Sequence, residues 1–560
     1  MGSRSTAGTA NTQIEAARGP LQSTSTREPF KNMSTNKNWK SDLVSGFLVF
    51  LIALPLCLGI AMASNYPPVS GVLTAIVGGV VVSFLGSARL TIKGPAAGLI
   101  VIALGAVTEL GMGDPAAGYK RALAVGVAAA LLQIVLALLR AGALGAAMPS
   151  SVVHGMLAAI GVIIIAKQVH VALGVTPEGS EPLHLLAEIP HSLQTMNPEV
   201  AIIGLVALVI LFVLPYIQIS WIRRIPGPML ALASAVPLGF LFDLEHEHFY
   251  KLFSHDYHVG PEFLIQLPGS LFGAIVFPDF SMIMSATSIK YMVMFSLVGT
   301  IESLLSVSAV DSLDPEKRSS DLNKDLLATG VGNLISSAIG GLPMISEIVR
   351  SKANIDNGAK SHMSNFFHGT FLLLSVALIP GLLQHIPLAA LAAMLVYTGF
   401  RLAAPHEFKH VYQIGPEQLF LFVSTLLVTL ATDLLLGVAV GLVLKLILHM
   451  KNGVPLSSLF RAIVEEERHG DRLTLKIQDA AVFSNFLGLQ RRLRSIAPEV
   501  REVTLDFHHC WVVDHTVLDK LEKLGNEWED RELILAGLEN HIASSDHKLA
   551  ARRLLRTSSV

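Results

Sequence analysis

Glu302 sits in the middle of Ser296-Leu297-Val298-Gly299-Thr300-Ile301-Glu302-Ser303-Leu304-Leu305-Ser306, a stretch with no other charge. Where such a run crosses a hydrocarbon layer, an unpaired ionised carboxylate at its centre costs roughly 2.5–3.5 kcal/mol on insertion scales. Glu302 is therefore expected to be protonated, paired or bound to a cation. Ser306 follows four residues later on the same helical face, so the two can offer oxygen ligands to Na+, or a proton-accepting carboxylate with a supporting hydroxyl. The plainer use of Glu302 is a structural hydrogen bond to a neighbouring helix.

Further charges lie beside prolines. Lys93 precedes Gly94-Pro95-Ala96-Ala97, and Glu347 and Arg350 follow Gly340-Gly341-Leu342-Pro343. Proline inside an apolar run breaks the helix, and a helix that starts within the membrane presents free N–H groups and the positive end of its dipole. Two such starts that meet form an anion site. Lys93 adds to the attraction, and Glu347 opposes it unless protonated or paired. This predicts a contact of Lys93 with Glu347 or with Glu302 that rearranges when an anion arrives. The competing readings are a kink at each proline, with Lys93 and Arg350 snorkelling to an aqueous face.

Other reactive residue types carry less. His154, His170, His368 and His385 fall in or beside apolar runs, where a proton-relay role competes with ordinary structural hydrogen bonding. His184, Glu188 and His191 lack metal-site spacing, and Cys57 and Cys510 form neither a disulfide framework nor a metal cluster. No HExxH, nucleotide-binding Gly-rich motif or cysteine pair supports an enzyme or calls for a cofactor.

The elements that must position these groups follow from hydropathy. Of the 560 residues, 52% are apolar and 15% charged, and the apolar runs, of about twenty residues, suffice to cross a hydrocarbon core of about 30 Å. Nothing in the charge pattern supports nucleic-acid binding. Spans are expected near 42–63, 69–87, 95–111, 119–140, 149–170, 199–219, 227–242, 287–308, 322–340, 344–357, 363–380, 386–402, 416–432 and 434–450. The third and tenth are poor spans, and each is the third of a set of seven. Broken helices at matching places are the mark of inverted-repeat transporters, whose half-helices meet near mid-membrane.

Loop charge sets orientation. With a cytoplasmic N-terminus, the inside loops hold Arg89, Arg140, Arg223, Arg224, Lys317, Arg318, Lys324, Lys352, Lys360, Arg401 and Lys409, and the outside loops little beyond Lys120, Arg121 and Lys251. Both termini are then cytoplasmic, which requires an even number of spans. Residues 1–38, rich in Ser, Thr, Asn and Gly, are expected to be a disordered leader, residues 39–452 a transmembrane domain and residues 453–560 a compact cytoplasmic α/β domain. In the last, 472–477, 502–507 and 532–536 read as strands, and 485–496 and 516–527 as helices.

These residues resemble the sulfate permease (SulP) group, equivalent to solute carrier family twenty-six. The marks are Ala53-Leu54-Pro55, Tyr66-Pro67-Pro68-Val69-Ser70-Gly71, Gly94-Pro95-Ala96-Ala97, Gly299-Thr300-Ile301-Glu302-Ser303-Leu304-Leu305, and Asp325 to Asn333 before Gly340-Gly341-Leu342-Pro343. The resemblance implies fourteen helices in a seven-plus-seven inverted repeat with core and gate subdomains, a C-terminal STAS domain, a homodimer, and location in the plasma or inner membrane. It implies a small anion held between the half-helices, among Cys57, Lys93, Gly94, Ala96, Ala97, Ile345, Ser346 and Arg350. In bicarbonate-transporting relatives a sodium site falls at positions matching Glu302, Ser306, Ser346, Glu347 and Ile348. Glu302 replaces an Asp there, and Lys93 and Glu347 replace small residues, so proton coupling suits the set as well as Na+. Of the residues matching a phosphorylated serine in soluble relatives, only Thr516 keeps a hydroxyl.

The function expected is secondary active transport of bicarbonate or sulfate, coupled to Na+ or H+. A nucleobase–cation or dicarboxylate–proton symporter of the same fold is the alternative, because Glu302 and Glu347 also suit it. A non-transporting sensor that anchors the C-terminal domain is a third class.

Overall fold

Helices occupy the places that hydropathy assigns. The computed structural model describes residues 39–143, 148–177, 181–219, 225–252, 255–267, 272–497, 499–528 and 530–554; the expected leader and the expected inside charges Arg223 and Arg224 lie outside the described residues. The membrane part is built from α1 (Trp39–Ala63), α2 (Pro68–Leu85), α3 (Ala97–Gly111), α4 (Pro115–Leu138), α5 (Ser150–Ala172), α6 (Pro198–Val213), α7 (Gly227–Leu241), α8 (Ala286–Leu313), α9 (Leu322–Ala338), α10 (Ile348–Asp356), α11 (Met363–Leu378), α12 (Leu388–Leu402), α13 (Pro416–Ala431) and α14 (Leu434–Lys451). Among the described residues, 8 helices are long and apolar enough to cross a membrane, and α3, α7, α11 and α13 are shorter apolar helices. That leaves α9 and α10. One face of α9 carries Asp325, Thr329, Asn333 and Ser336, a polar stripe at helical spacing that is buried throughout. The chain is a multi-pass α-helical membrane protein.

Packing divides these helices into two bodies. Helices α1–α4 pack with α8–α11, and α5–α7 with α12–α14. The pairings map onto themselves when each helix is exchanged for the one seven places away: α1 with α11 becomes α8 with α4, α2 with α11 becomes α9 with α4, and α6 with α12 becomes α13 with α5. Such exchange is what a seven-plus-seven repeat requires. Where α2 crosses α11, Gly79 and Gly369 let the backbones touch, and a Cβ on Gly369 would lie 2.7 Å from the Cα of Gly79.

The connections hold structure that hydropathy does not predict. Pro182–Thr195 and Pro405–Ile414 are helices, and His248–Leu252 pairs with His255–Val259 as an antiparallel hairpin. They are too short and too polar to register as spans.

The C-terminal domain is a 7-stranded mixed sheet. Its strands are β3 (Ile463–His469), β4 (Arg472–Ala481), β5 (Glu502–Asp506), β6 (Cys510–Val513), β7 (Glu532–Ala536), β8 (His541–Ala543) and β9 (Arg552–Leu554), and the membrane part holds β1 (Ile92–Pro95) and β2 (Met344–Glu347). β4 runs parallel to β5 and β6, and β5 parallel to β7. Helices α15 (Phe486–Arg494) and α16 (His515–Glu527) complete the core through Phe486, Leu489, Val517 and Leu521 against Leu475, Ile477, Val503 and Leu505. The three predicted strands and both helices are present, and β3, β6, β8 and β9 add to them. Ser545 Oγ donates to the carbonyl of Ile414 at 2.7 Å and Arg553 pairs with Glu417, so the domain packs on the membrane part.

Candidate functional site

The third and tenth helices begin as extended chain. β1 (Ile92–Pro95) and β2 (Met344–Glu347) pair antiparallel, with Ile92 opposite Glu347, Lys93 opposite Ser346, Gly94 opposite Ile345 and Pro95 opposite Met344. Pro95, Pro343 and Gly340, at φ 101°, stop the preceding chain from continuing as helix. Freed backbone groups inside a membrane must find partners, and here buried side chains supply them. Asn333 Oδ1 accepts from the N–H of Met344 at 2.5 Å, and its Nδ2 donates to Gln133 Oε1 at 2.7 Å. Thr74 and Ser336 both donate to the carbonyl of Leu342. Asn354 Nδ2 donates to the carbonyl of Leu90 at 2.9 Å, and the N–H of Ile92 donates to Ser351 Oγ at 2.8 Å.

Strand alternation then sorts the side chains. Lys93 and Ser346 share one face of the pair; Ile345 and Glu347 share the other. On the first face Lys93 Nζ donates to Asp325 Oδ2 and, at 2.5 Å, to Ser346 Oγ. Lys93 is 2% exposed, so it does not snorkel. The expected contacts of Lys93 with Glu347 or Glu302 are not made. The register is the reason: it turns Lys93 toward α9, away from both glutamates.

The second face walls a cavity of about 1210 Å3. Ala97, Gly98, Ile345, Glu347, Ile348 and Arg350 line it at the two half-helix starts, Glu302 and Ser306 line it from α8, and α1, α5 and α12 close the other sides. It runs on to His515, Lys520, Lys523 and His547 of the C-terminal domain. Neither half-helix start is capped by a side chain, at Ala96 or at Glu347, so both offer first-turn N–H groups to a ligand.

Charges concentrate at this closed end. Both oxygens of Glu302, one of Glu347 and Nε of Arg350 are buried without a hydrogen-bond partner. The Glu302 carboxylate lies directly over Gly98, where a Cβ would overlap it. Arg350 Nη1 donates to Cys57 Sγ at 3.5 Å and fills the space beside Gly94, where a Cβ would come within 2.6 Å of it. The arrangement can attract an anion through two helix starts and a guanidinium, and can modulate that attraction through two carboxylates.

The structure therefore brings together Ala97, Glu302, Ser306, Ile345, Glu347, Ile348 and Arg350. Lys93, Gly94, Ala96, Cys57 and Ser346 lie behind that wall and do not line the cavity. Thr516 is 2% exposed in the first turn of α16. His154 pairs with Glu407, His170 with Ser192 and His385 with Glu245; His368 is buried with neither ring nitrogen partnered. Asp325, Ser303 and Gly98 also pack at the site and are not among the expected site residues. The polar stripe on α9 was the available signal for Asp325.

The sequence matches the Sulfate permease family over residues 39–425. The putative sulfate transporter YvdB of Bacillus subtilis is 26% identical, the alignment covering 75% of each chain. The bicarbonate transporter BicA of Picosynechococcus is 24% identical over 78% of this chain and 75% of the relative. Among solved structures, the transmembrane domain of a cyanobacterium bicarbonate transporter BicA superposes with a TM-score of 0.62 at 23% identity, over 72% of this chain and 98% of that one. The murine Solute Carrier 26 family member A9 anion transporter in the inward-facing state gives 0.63 at 16% identity, over 89% and 84%. At these identities the structural likeness bears on the fold.

Proposed function

The chain belongs to the sulfate permease family, and from that premise we propose that it is a secondary active transporter that moves a small inorganic anion, sulfate or bicarbonate, together with a proton. The observation that carries this reading is Glu302: a carboxylate mid-way along α8, both oxygens unpartnered, on the wall of a cavity it shares with Arg350 and both half-helix starts. The names of the relatives YvdB and BicA support the two substrates.

The chemistry follows from placing charge in a site of low dielectric. Two helix starts and Arg350 draw the anion in; ionised Glu302 and Glu347 repel it. Protonation turns each carboxyl from a repelling charge into a hydrogen-bond donor, so anion and proton enter together. Na+ held by Glu302, Ser306 and Glu347 would neutralise the same carboxylates, but Ser346, another of the expected sodium ligands, has its hydroxyl engaged by Lys93. That favours the proton. Alternating access would move α1–α4 with α8–α11 as one body against α5–α7 with α12–α14, within a homodimer. Lys and Arg on alternate loops support an inner or plasma membrane location with both termini cytoplasmic, and on that orientation the cavity opens inward.

Purified protein in liposomes tests the reading, with labelled sulfate, bicarbonate, fumarate and uracil offered under separately imposed H+ and Na+ gradients. Uptake of sulfate or bicarbonate driven by an inward H+ gradient is expected. Uptake of uracil or fumarate with the inorganic anions inert would overturn it.

A further inference from the structure

Behind the crossing of the half-helices lies a second charged centre that does not reach the cavity. Four elements build it: Lys93 from β1, Ser346 from β2, Ser303 from α8 and Asp325 from α9. Lys93 Nζ donates to Asp325 Oδ2 and Ser346 Oγ; Ser346 Oγ lies 3.4 Å from Asp325 Oδ2 and 3.3 Å from Ser303 Oγ. The backbone N–H of Ser346 donates to Ser303 Oγ at 3.3 Å, and Asp325 Oδ1 accepts from the N–H of Ala88 at 3.2 Å. Ser303, Asp325 and Ser346 are each at most 1% exposed.

A carboxylate oxygen with a hydroxyl beside it, here Asp325 Oδ2 with Ser346 Oγ, offers oxygen ligands of the kind a hard cation takes. Without positive charge at its centre, the Asp325 carboxylate would be an uncompensated ion buried in the protein, which is strongly destabilising. We propose that this is a site for a small monovalent cation, of Na+ or alkylammonium type, which the protein fills with its own Lys93 ammonium. The tethered charge holds β1 to β2 and both to α8 and α9. It does so without a cation from solution, and the neighbouring residue of Ser303 is Glu302, so the cavity wall depends on it. Removing the side chain opens the site to a free cation.

This deepens the transport reading, and its uptake test rests on that reading; a stability test does not. In the wild type, uptake of labelled sulfate or bicarbonate under an H+ gradient is expected to be equal in Na+ and in choline. Lys93→Ala is expected to lose about tenfold or more in choline and to recover with Na+ or ethylammonium. The melting temperature of purified Lys93→Ala in detergent is expected to rise with NaCl or ethylammonium chloride but not with choline chloride at the same ionic strength, because a ligand that binds only the folded state stabilises it. Full activity of Lys93→Ala in choline, or a melting temperature indifferent to the cation, would overturn the proposal. Should Lys93→Ala not accumulate, Lys93→Met/Asp325→Asn, which removes both charges, is expected to restore folded protein, and its failure to do so would count equally against the proposal. A wild type that takes up neither anion would sink the transport reading and leave the melting test readable.

Discussion

Lys445 Nζ, near the end of α14, donates a 2.7 Å hydrogen bond to Asp514 Oδ1 in the C-terminal domain, and the two side chains are 3% and 0% exposed. His449, one turn further along α14, brings Nε2 to 3.6 Å from Asp514 Oδ2. Burial pushes the Asp514 carboxyl up, but the Lys445 charge and His449 outweigh it and hold the group well below the usual carboxylate range. A carboxyl lowered on folding contributes stability that is present above its unfolded value, near 3.9, and lost only as pH falls below that. The joint between the last membrane helix and α16 is therefore at full strength across the neutral range.

Asp514→Asn leaves Lys445 buried without a counter-charge, and a loss of about 3–5 kcal/mol is expected. Lys445→Met/Asp514→Leu removes both charges and is expected to recover most of it, since a buried ion pair contributes little over packed apolar groups. Thermal unfolding, with trypsin cleavage between residues 451 and 463 as a reporter of undocking, separates the cases. Equal melting of Asp514→Asn and wild type would refute the role of the joint.

Two glycine substitutions are expected to fail in different ways. A Cβ on Gly71 would strike the backbone carbonyl of Cys57, where α2 crosses α1. Backbone cannot yield cheaply, so Gly71→Ala is expected to lose folded protein, by about 1–3 kcal/mol or more. A Cβ on Gly98 would strike the end of the Glu302 side chain, which can swing aside. Gly98→Ala is thus expected to elute as folded protein in size-exclusion chromatography yet to lose most proton-driven uptake. Retention of wild-type uptake would show that the position of the carboxylate over α3 does not matter.

Lys520, on α16 at the mouth of the cavity, donates to the carbonyl of Met148 at 3.3 Å. Burial lowers its ammonium to about 7, with Asp519 and Asp514 acting in the opposite sense. Between about pH 7 and the unfolded value near 10.4, the unfolded chain holds more protons than the folded one, so stability rises with pH there. Lys520→Met removes that contribution. The melting temperature of the wild type is expected to climb relative to the variant from pH 7 to 9, and parallel curves would contradict it.

Much of this was legible in the chain because the membrane makes long apolar runs unambiguous. The third and tenth spans were legible as breaks because Pro95 and Pro343 interrupt them at matching places. What one residue does within a four-residue strand was not. The side to which Lys93 points depends on its register with Ser346, and shifting β1 by one residue would turn it to the cavity face that Glu347 shares. Its partner Asp325 lies on α9, whose polar stripe reads locally as a weak span. The short β6, β8 and β9 carry too few residues for an alternation to stand out, and they extend one flank of β4 in the order β4-β6-β9-β8.

Glu302→Gln isolates the coupling step. The amide has nearly the shape of the protonated acid and cannot ionise, so the cavity is held in the state that accepts an anion. Wild-type anion binding is expected to weaken as pH rises, because ionised Glu302 repels the ligand; in Glu302→Gln that dependence on α8 disappears and only Glu347 titrates beside Arg350. Exchange of labelled for unlabelled anion needs no net proton movement, so it is expected to stay within about threefold of wild type. Accumulation against an anion gradient, which does need the proton, is expected to fall to background. Measuring exchange and H+-driven uptake in the same liposome preparation reads both. Were accumulation to survive, Glu302 would not be the group that carries the proton; Glu347, the other cavity-facing carboxyl, would then be the group to test by the same pair of measurements.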